Sequence, residues 1–206
     1  ARTAELHQKL WIADLHGDVL LWDRNILERH NYGHIDIPRL IDGNVALQAF
    51  TVVSKVPFGM NFQSNPTDAK DMITVLMAAQ GRPMETWFSL RDRALHMAGE
   101  LDRFAQASEG RFRVIRSKND LQNYINDRES NAKITAGFLG AEGMQVLEGK
   151  LSNLQVLYDA GYRMMAPSHF FDSEVGGSAH GEHKGGLTEL GHDAIRYMAV
   201  SYTHLT

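Results

Sequence analysis

The stretch Leu10-Trp11-Ile12-Ala13-Asp14-Leu15-His16-Gly17-Asp18 closes the first strongly apolar run of the chain. It reads as a buried strand from Leu10 to Leu15 that finishes on a His-x-Asp pair. Side chains two apart on a strand point the same way, so an imidazole and a carboxylate in this register can converge on one cation at the mouth of a sheet or barrel. Gly17 between them lets the backbone approach closely. A second pair, His34 and Asp36, sits in Gly33-His34-Ile35-Asp36-Ile37-Pro38-Arg39-Leu40. There Pro38 blocks a central strand. Asp36 reads as the cap of a short helix begun by Pro38-Arg39-Leu40 rather than as a ligand.

The 206 residues suffice for one large domain, and 43% hydrophobic with 22% charged residues is ordinary for a soluble globular protein. A net charge of -4 and the lack of any Lys/Arg stripe argue against a nucleic-acid partner. The chain has no cysteine, so disulfides and thiolate metal sites are excluded, and any metal must be held by His, Asp or Glu. No apolar run reaches the roughly 18 residues of a transmembrane helix. No secretory leader is visible, and residue 1 is Ala. Cytoplasmic and exported locations both stay open, the second needing a leader outside this chain.

Strand and helix patterns alternate along the sequence. Thr3 to Leu10 is a short polar helix, and Val45 to Val53 is a nearly all-apolar second strand, as expected when both faces are covered. Ser54 to Asn65 is a loop. Thr67 to Gln80 is a helix with Met72, Ile73, Leu76 and Met77 on one face, and Glu85 to Ala107 is a longer helix whose apolar stripe is core. Three further strands follow, at Phe112–Ile115, Ile134–Gly140 and Tyr162–Pro167. Ser117 caps the helix after the third strand, Gly161 closes the helix from Leu151 to Ala160, and a last helix runs from Leu187 to Ala199. This order implies parallel βαβ units in a barrel or a doubly wound sheet. No Gly-x-Gly-x-x-Gly or Walker-type motif points to a nucleotide.

In a βα barrel the chemistry gathers at the C-terminal ends of the strands. The first strand ends on His16 and Asp18. The fourth ends on Gly140-Ala141-Glu142-Gly143, where Glu142 is either a helix-start carboxylate or a ligand with room around it. Its two oxygens could bridge two cations. The fifth ends on Ser168-His169, where His169 could ligate a metal, stabilise an oxyanion or cap the strand. His180 and His183 lie in a glycine-dense stretch, Gly176 to Gly186, that reads as a flexible exposed loop bordering the site. His7, His30, His96 and His192 read as solvated surface residues.

Asp14 to Asp18, His34 to Leu40 with Gly43 to Gln48, Gly140 to Gly143, the helix Leu154 to Gly161, Ser168-His169 and Gly186-Leu187-Thr188 together resemble the membrane (renal) dipeptidases of the amidohydrolase-like metal-dependent hydrolases. The resemblance implies a (β/α)8 TIM barrel with two zinc ions. Residues 1–199 would be its N-terminal five or so βα units, a partial barrel. It implies that His16 and Asp18 bind one zinc, that Glu142 bridges both, and that His169 contacts substrate and stabilises the tetrahedral intermediate. It further implies hydrolysis of a small-molecule dipeptide by a hydroxide shared between the metals, and leaves room for a homodimer. The family's second-zinc histidines, an Arg for the substrate carboxylate and an Asp near the scissile bond belong to later strands. The expectation is therefore a truncated portion, with residues 200–206 a non-native tail similar to translated sequencing adapter, and with His204 no ligand. Two other readings stand beside it: a related metal-dependent amidohydrolase acting on another small C–N substrate, and an inactive partial domain.

Overall fold

The computed structural model describes residues 2–202, with side chains described for residues 2–200. Most of the tail read at 200–206, His204 included, lies outside the described residues. In chain order the elements are α1 (Arg2–Lys9), β1 (Ile12–Asp14), α2 (Ile37–Asp42), β2 (Val45–Val53), α3 (Met72–Ala79), α4 (Glu85–Phe88), α5 (Leu90–Ala107), β3 (Phe112–Val114), α6 (Lys118–Ser130), β4 (Thr135–Glu142), α7 (Ser152–Asp159), β5 (Tyr162–Met165) and α8 (Glu189–Tyr202). Short 3₁₀ turns follow β1 at Val19–Leu21 and β4 at Met144–Leu147. The chain divides into two compact units, one of residues 1–51 and 99–139, the other of residues 52–98 and 140–206.

In the first unit the strands run in the order β1-β2-β4-β3. The outer pairs are parallel, with Ile12 against Val45 at one side and Phe112 against Thr135 at the other. Parallel pairing requires helical crossovers, which is why helices separate the strands in sequence. Phe50 and Phe112 meet edge to face with centroids 5.4 Å apart. Gly137 lies under that pair, and a Cβ there would overlap the Phe50 ring. Tyr124 donates its hydroxyl proton to the Ala46 carbonyl and packs with Ile134 and Ala136. Capping follows the sequence: Asp36 accepts from the Arg39 amide at the start of α2, and Ser117 accepts from the Asp120 amide at the start of α6.

The first strand departs from expectation. It spans three residues rather than six, and Leu10, Trp11 and Leu15 are exposed instead of buried. It stands at the end of the strand order, so only β2 covers it among the described residues. An apolar run can mark an edge as readily as a centre, because hydropathy does not report which neighbours are present.

In the second unit β5 lies beside the end of β4, where the Ala166 amide donates to the Ala141 carbonyl. The single helix expected over 85–107 is broken at Ser89, whose backbone is extended (φ -102°, ψ 121°). Ser89 accepts from the Asp92 amide and so caps α5. Arg93, fully buried on α5, explains the break. Its guanidinium donates to Asp71 at 2.8 Å and to the carbonyls of Ser54, Thr86 and Trp87. The Thr86 and Trp87 carbonyls can accept from Arg93 because α4 ends at Phe88 and no continuing helix takes them up. The helix expected from Thr67 starts at Met72, with Asp71 as its cap and Met72 exposed.

The stretch from 176 to 186 is exposed over residues 182–186, as expected of a loop, but it is pinned by hydrogen bonds as far as His183. The buried carboxylate of Asp172 accepts from the backbone amides of Ser178 at 2.8 Å and His183 at 2.7 Å. Asn65, also buried, donates to the carbonyls of Asn61, Phe170 and His180. Gly177 and Gly181 mark tight crossings, against the Gly185 backbone and the Asp172 carboxylate, whereas Gly185 and Gly186 stand in open space. His30 and His96 are likewise not merely solvated: His30 bonds the Asn25 carbonyl and His96 bonds Arg82.

Gly137→Ala should therefore lower unfolding free energy by about 1–3 kcal/mol, read from urea melts, as Phe50 is displaced. The second expectation concerns Asp172. Burial pushes its carboxyl up, but backbone donation from His183, Ser178 and Lys184 outweighs it and holds the group below 3.8. A depressed folded value contributes stability that is complete above the unfolded carboxyl range and lost as pH falls through the folded one. The stability difference between wild type and Asp172→Asn should thus be flat above about pH 5 and shrink below about pH 4. A pH-independent difference would contradict the assignment.

Candidate metal centre

Two half-sites are built from the residues singled out in the sequence. In the first unit His16 and Asp18 follow β1 directly rather than lying on it. They still meet: His16 Nε2 is 3.4 Å from Asp18 Oδ1. What joins them is a turn, not strand alternation. The Asp14 carboxylate accepts from the His16 amide at 3.0 Å, closing an Asx turn. Gly17 then passes over Gln48, and a Cβ at Gly17 would lie 2.9 Å from Gln48 Nε2. Close approach is the reason for glycine here.

Thr51, buried in β2, grips this turn at three points. Its hydroxyl accepts from the Gly17 amide at 3.1 Å and donates to Asp18 Oδ1, while its own amide donates to the Gly17 carbonyl at 3.0 Å. Gln48, fully buried beside it, donates to the Ala49 carbonyl at 2.9 Å, and its Oε1 has no hydrogen-bond partner among the described residues. Thr51 and Gln48 are not among the residues the sequence reading selects. The available signal was two polar side chains inside the otherwise apolar run Val45 to Val53.

In the second unit Glu142 is the last residue of β4 and is buried. It is not a helix-start carboxylate, because Gly143 turns the chain away with φ +95°. A Cβ at Gly143 would run into the Gln145 carboxamide, so glycine is required on both counts. Gln145 donates to the Glu142 carbonyl at 3.0 Å and to Ser54 Oγ at 2.8 Å. The Ser54 carbonyl in turn accepts from Arg93. A buried chain of Asp71, Arg93, Ser54 and Gln145 thus fixes the backbone that carries Glu142. Networks of this kind specify one geometry because any broken link leaves a polar group dry.

His169 lies beside Glu142, with Nδ1 3.2 Å from Oε2. The backbone of His169 is held by Ser178, whose hydroxyl donates to its carbonyl. His180 and His183 take other parts: His180 Nδ1 bonds the Phe62 carbonyl at 2.8 Å, and the His183 amide bonds Asp172. His34 and Asp36 form no second pair of this kind, since Asp36 is fully buried as a helix cap and ion-paired with Arg39.

A family model described as membrane dipeptidase (peptidase family M19) matches residues 1–200. Among solved structures, the dipeptidase AC, a metallopeptidase of family M19, is 22% identical with a TM-score of 0.67 over 95% of this chain and 56% of its own. A metallopeptidase from Rhodobacter sphaeroides, liganded with a phosphinate mimic of the dipeptide L-Ala-D-Ala, is 22% identical with a TM-score of 0.63 over 95% and 56%. The probable dipeptidase PvdM from Pseudomonas aeruginosa is 16% identical with a TM-score of 0.64 over 95% and 46%. No curated protein matches the chain significantly. The chain spans about half the length of these structures, and the likeness shows the fold, part of a TIM-like α/β barrel. With the match to the family model covering all but the last six residues, the chain belongs to the membrane dipeptidase family, M19.

Proposed function

We propose that residues 1–199 form part of a metallo-dipeptidase barrel in which His16, Asp18 and Glu142 hold a divalent cation together. The observation that carries this reading is the way the donors are held. Thr51 clamps the turn bearing His16 and Asp18, and the Arg93–Ser54–Gln145 chain clamps the strand end bearing Glu142. Support of this kind around ligands orients them before the ion arrives. The donor set fits: one imidazole and two carboxylates suit zinc and neighbouring first-row ions, and zinc is the ion the family resemblance implies. When bound, such an ion polarises a peptide carbonyl and makes water a better nucleophile at neutral pH.

The remaining work falls to side chains of this chain. Glu142 would lend a carboxylate oxygen to the cation, and its Oε2 lies 3.2 Å from His169 Nδ1, an ion pair when the ring is protonated. With Nδ1 committed in that direction, His169 offers Nε2 to the substrate. A proton there stabilises the oxygen of the scissile carbonyl as charge builds on it. Thr51 keeps Asp18 from rotating, which limits the reorganisation needed during the reaction. The substrate is a dipeptide, cleaved at its one peptide bond.

Calorimetric titration of the chain with Zn²⁺ should show saturable binding that falls about 100-fold or more in the His16→Ala/Glu142→Ala double variant. Unchanged affinity in that variant would reject the site. Thr51→Val should weaken zinc about tenfold, and Thr51→Ser should restore it, because serine keeps the hydroxyl that valine lacks. A zinc-loaded protein of the length of the matched structures should hydrolyse dipeptides. Turnover of other small amides with dipeptides inert would favour a related amidohydrolase instead.

A further inference from the structure

The second unit holds a partly exposed aromatic surface on two loops joined by hydrogen bonds. The loop after β2 and the loop after β5 are stapled together. Asn65 donates from its side chain to the carbonyls of Phe170 at 2.9 Å and His180 at 3.0 Å, and its amide donates to the His180 carbonyl at 2.9 Å. Thr67 donates to the Asp172 carbonyl at 2.9 Å, and the Asp172 carboxylate gathers the far side of the second loop.

What this frame presents is a row of rings. His169 lies 4.1 Å from Phe170, Phe170 lies 5.8 Å from His180, and His180 lies 5.6 Å from Phe62 with a T-shaped approach. Phe62 is 77% exposed, and Phe58 and Met60 beside it in sequence are exposed as well. A freely moving exposed Phe needs no explanation, but the Phe62 ring lies against the His180 ring while its backbone carbonyl accepts from His180 Nδ1, and that does. Leaving a Phe side chain in water forgoes about 1.5–3 kcal/mol of burial. Ordered exposed apolar surface of this kind marks a place where something apolar lands. The row begins at His169, which itself touches Glu142.

We propose that the row His169–Phe170–His180–Phe62 is the surface on which a substrate's apolar side chain packs, with Phe62 as its specificity-determining end. This rests on the dipeptidase reading. A peptide carbonyl presented to His169 has its flanking side chain within reach of the next rings. An aromatic or long aliphatic residue covers Phe62 by edge-to-face or dispersion contact, whereas Ala does not reach it. The substrate class is then a dipeptide with at least one bulky apolar residue.

The test is an NMR titration of the zinc-loaded chain with Ala-Phe, Phe-Ala and Ala-Ala, in wild type, Phe62→Ala and Phe62→Leu. Phe62 is exposed, so neither variant should disturb folding, and Ala-Ala affinity serves as the internal control. The expected result is that at least one Phe dipeptide binds wild type on the order of tenfold tighter than Ala-Ala. That preference should vanish in Phe62→Ala and survive in part in Phe62→Leu. Binding of all three dipeptides with no Phe preference, or with a preference untouched by Phe62→Ala, would overturn the aromatic subsite while leaving the dipeptidase reading standing. Failure of wild type to bind any dipeptide would overturn the aromatic subsite on this chain, whereas the dipeptidase reading is decided by turnover in a protein of the length of the matched structures.

Discussion

A threonine hydroxyl buried in an apolar strand holds the turn on which the proposed chemistry depends. Thr51 takes a hydrogen from Gly17, gives one to Asp18 and returns its own amide to Gly17. Strand β1 is short and exposed, so it cannot by itself fix the residues that follow it. The neighbouring strand supplies the rigidity instead. This arrangement separates two tasks that the sequence presents as one: β1 brings His16 and Asp18 to the end of the sheet, and β2 decides how they point.

The other carboxylate is handled by the same means in a different form. Glu142 ends β4, and the chain turns sharply at a positive-φ glycine so that its carbonyl can be taken by Gln145. The cost of burying Gln145, Ser54 and Arg93 is met by bonding them to one another and to carbonyls freed by the break at Ser89. An interruption in a helix and the placement of an acidic side chain are therefore linked. Replacing Arg93 would disturb more than the helix it sits on, since a buried partner left alone is costly.

Much of this was legible in the residues, and the pattern of what was not is instructive. The strand Val45–Val53 and the caps at Asp36 and Ser117 follow from local rules: apolar continuity and a side-chain oxygen three residues before an amide. The His-x-Asp pair, Glu142 and His169 stood out as candidates because each closes or follows a strand pattern, with Gly17, Ala141 and Gly143 leaving room beside the first two. The exposure of β1 was not, because an edge is defined by which strands are absent rather than by the strand's own composition. The break at Ser89 was foreshadowed by Ser89-Leu90-Arg91-Asp92, a capping pattern outweighed by the helical stripe on either side. The hydrogen bonds that pin the first part of the 176–186 loop come from Asp172 and Asn65, whose partners are backbone amides and carbonyls that no residue pattern names.

The sharpest test is to find the ion. Crystals of the chain grown with Zn²⁺ and measured at the zinc absorption edge should give an anomalous peak bonded to the imidazole of His16 and the carboxylates of Asp18 and Glu142, at about 2.0–2.2 Å. A strong peak at His180 and His183 or at the surface, with none at those three side chains, would contradict the proposed metal centre and with it the proposed hydrolytic function.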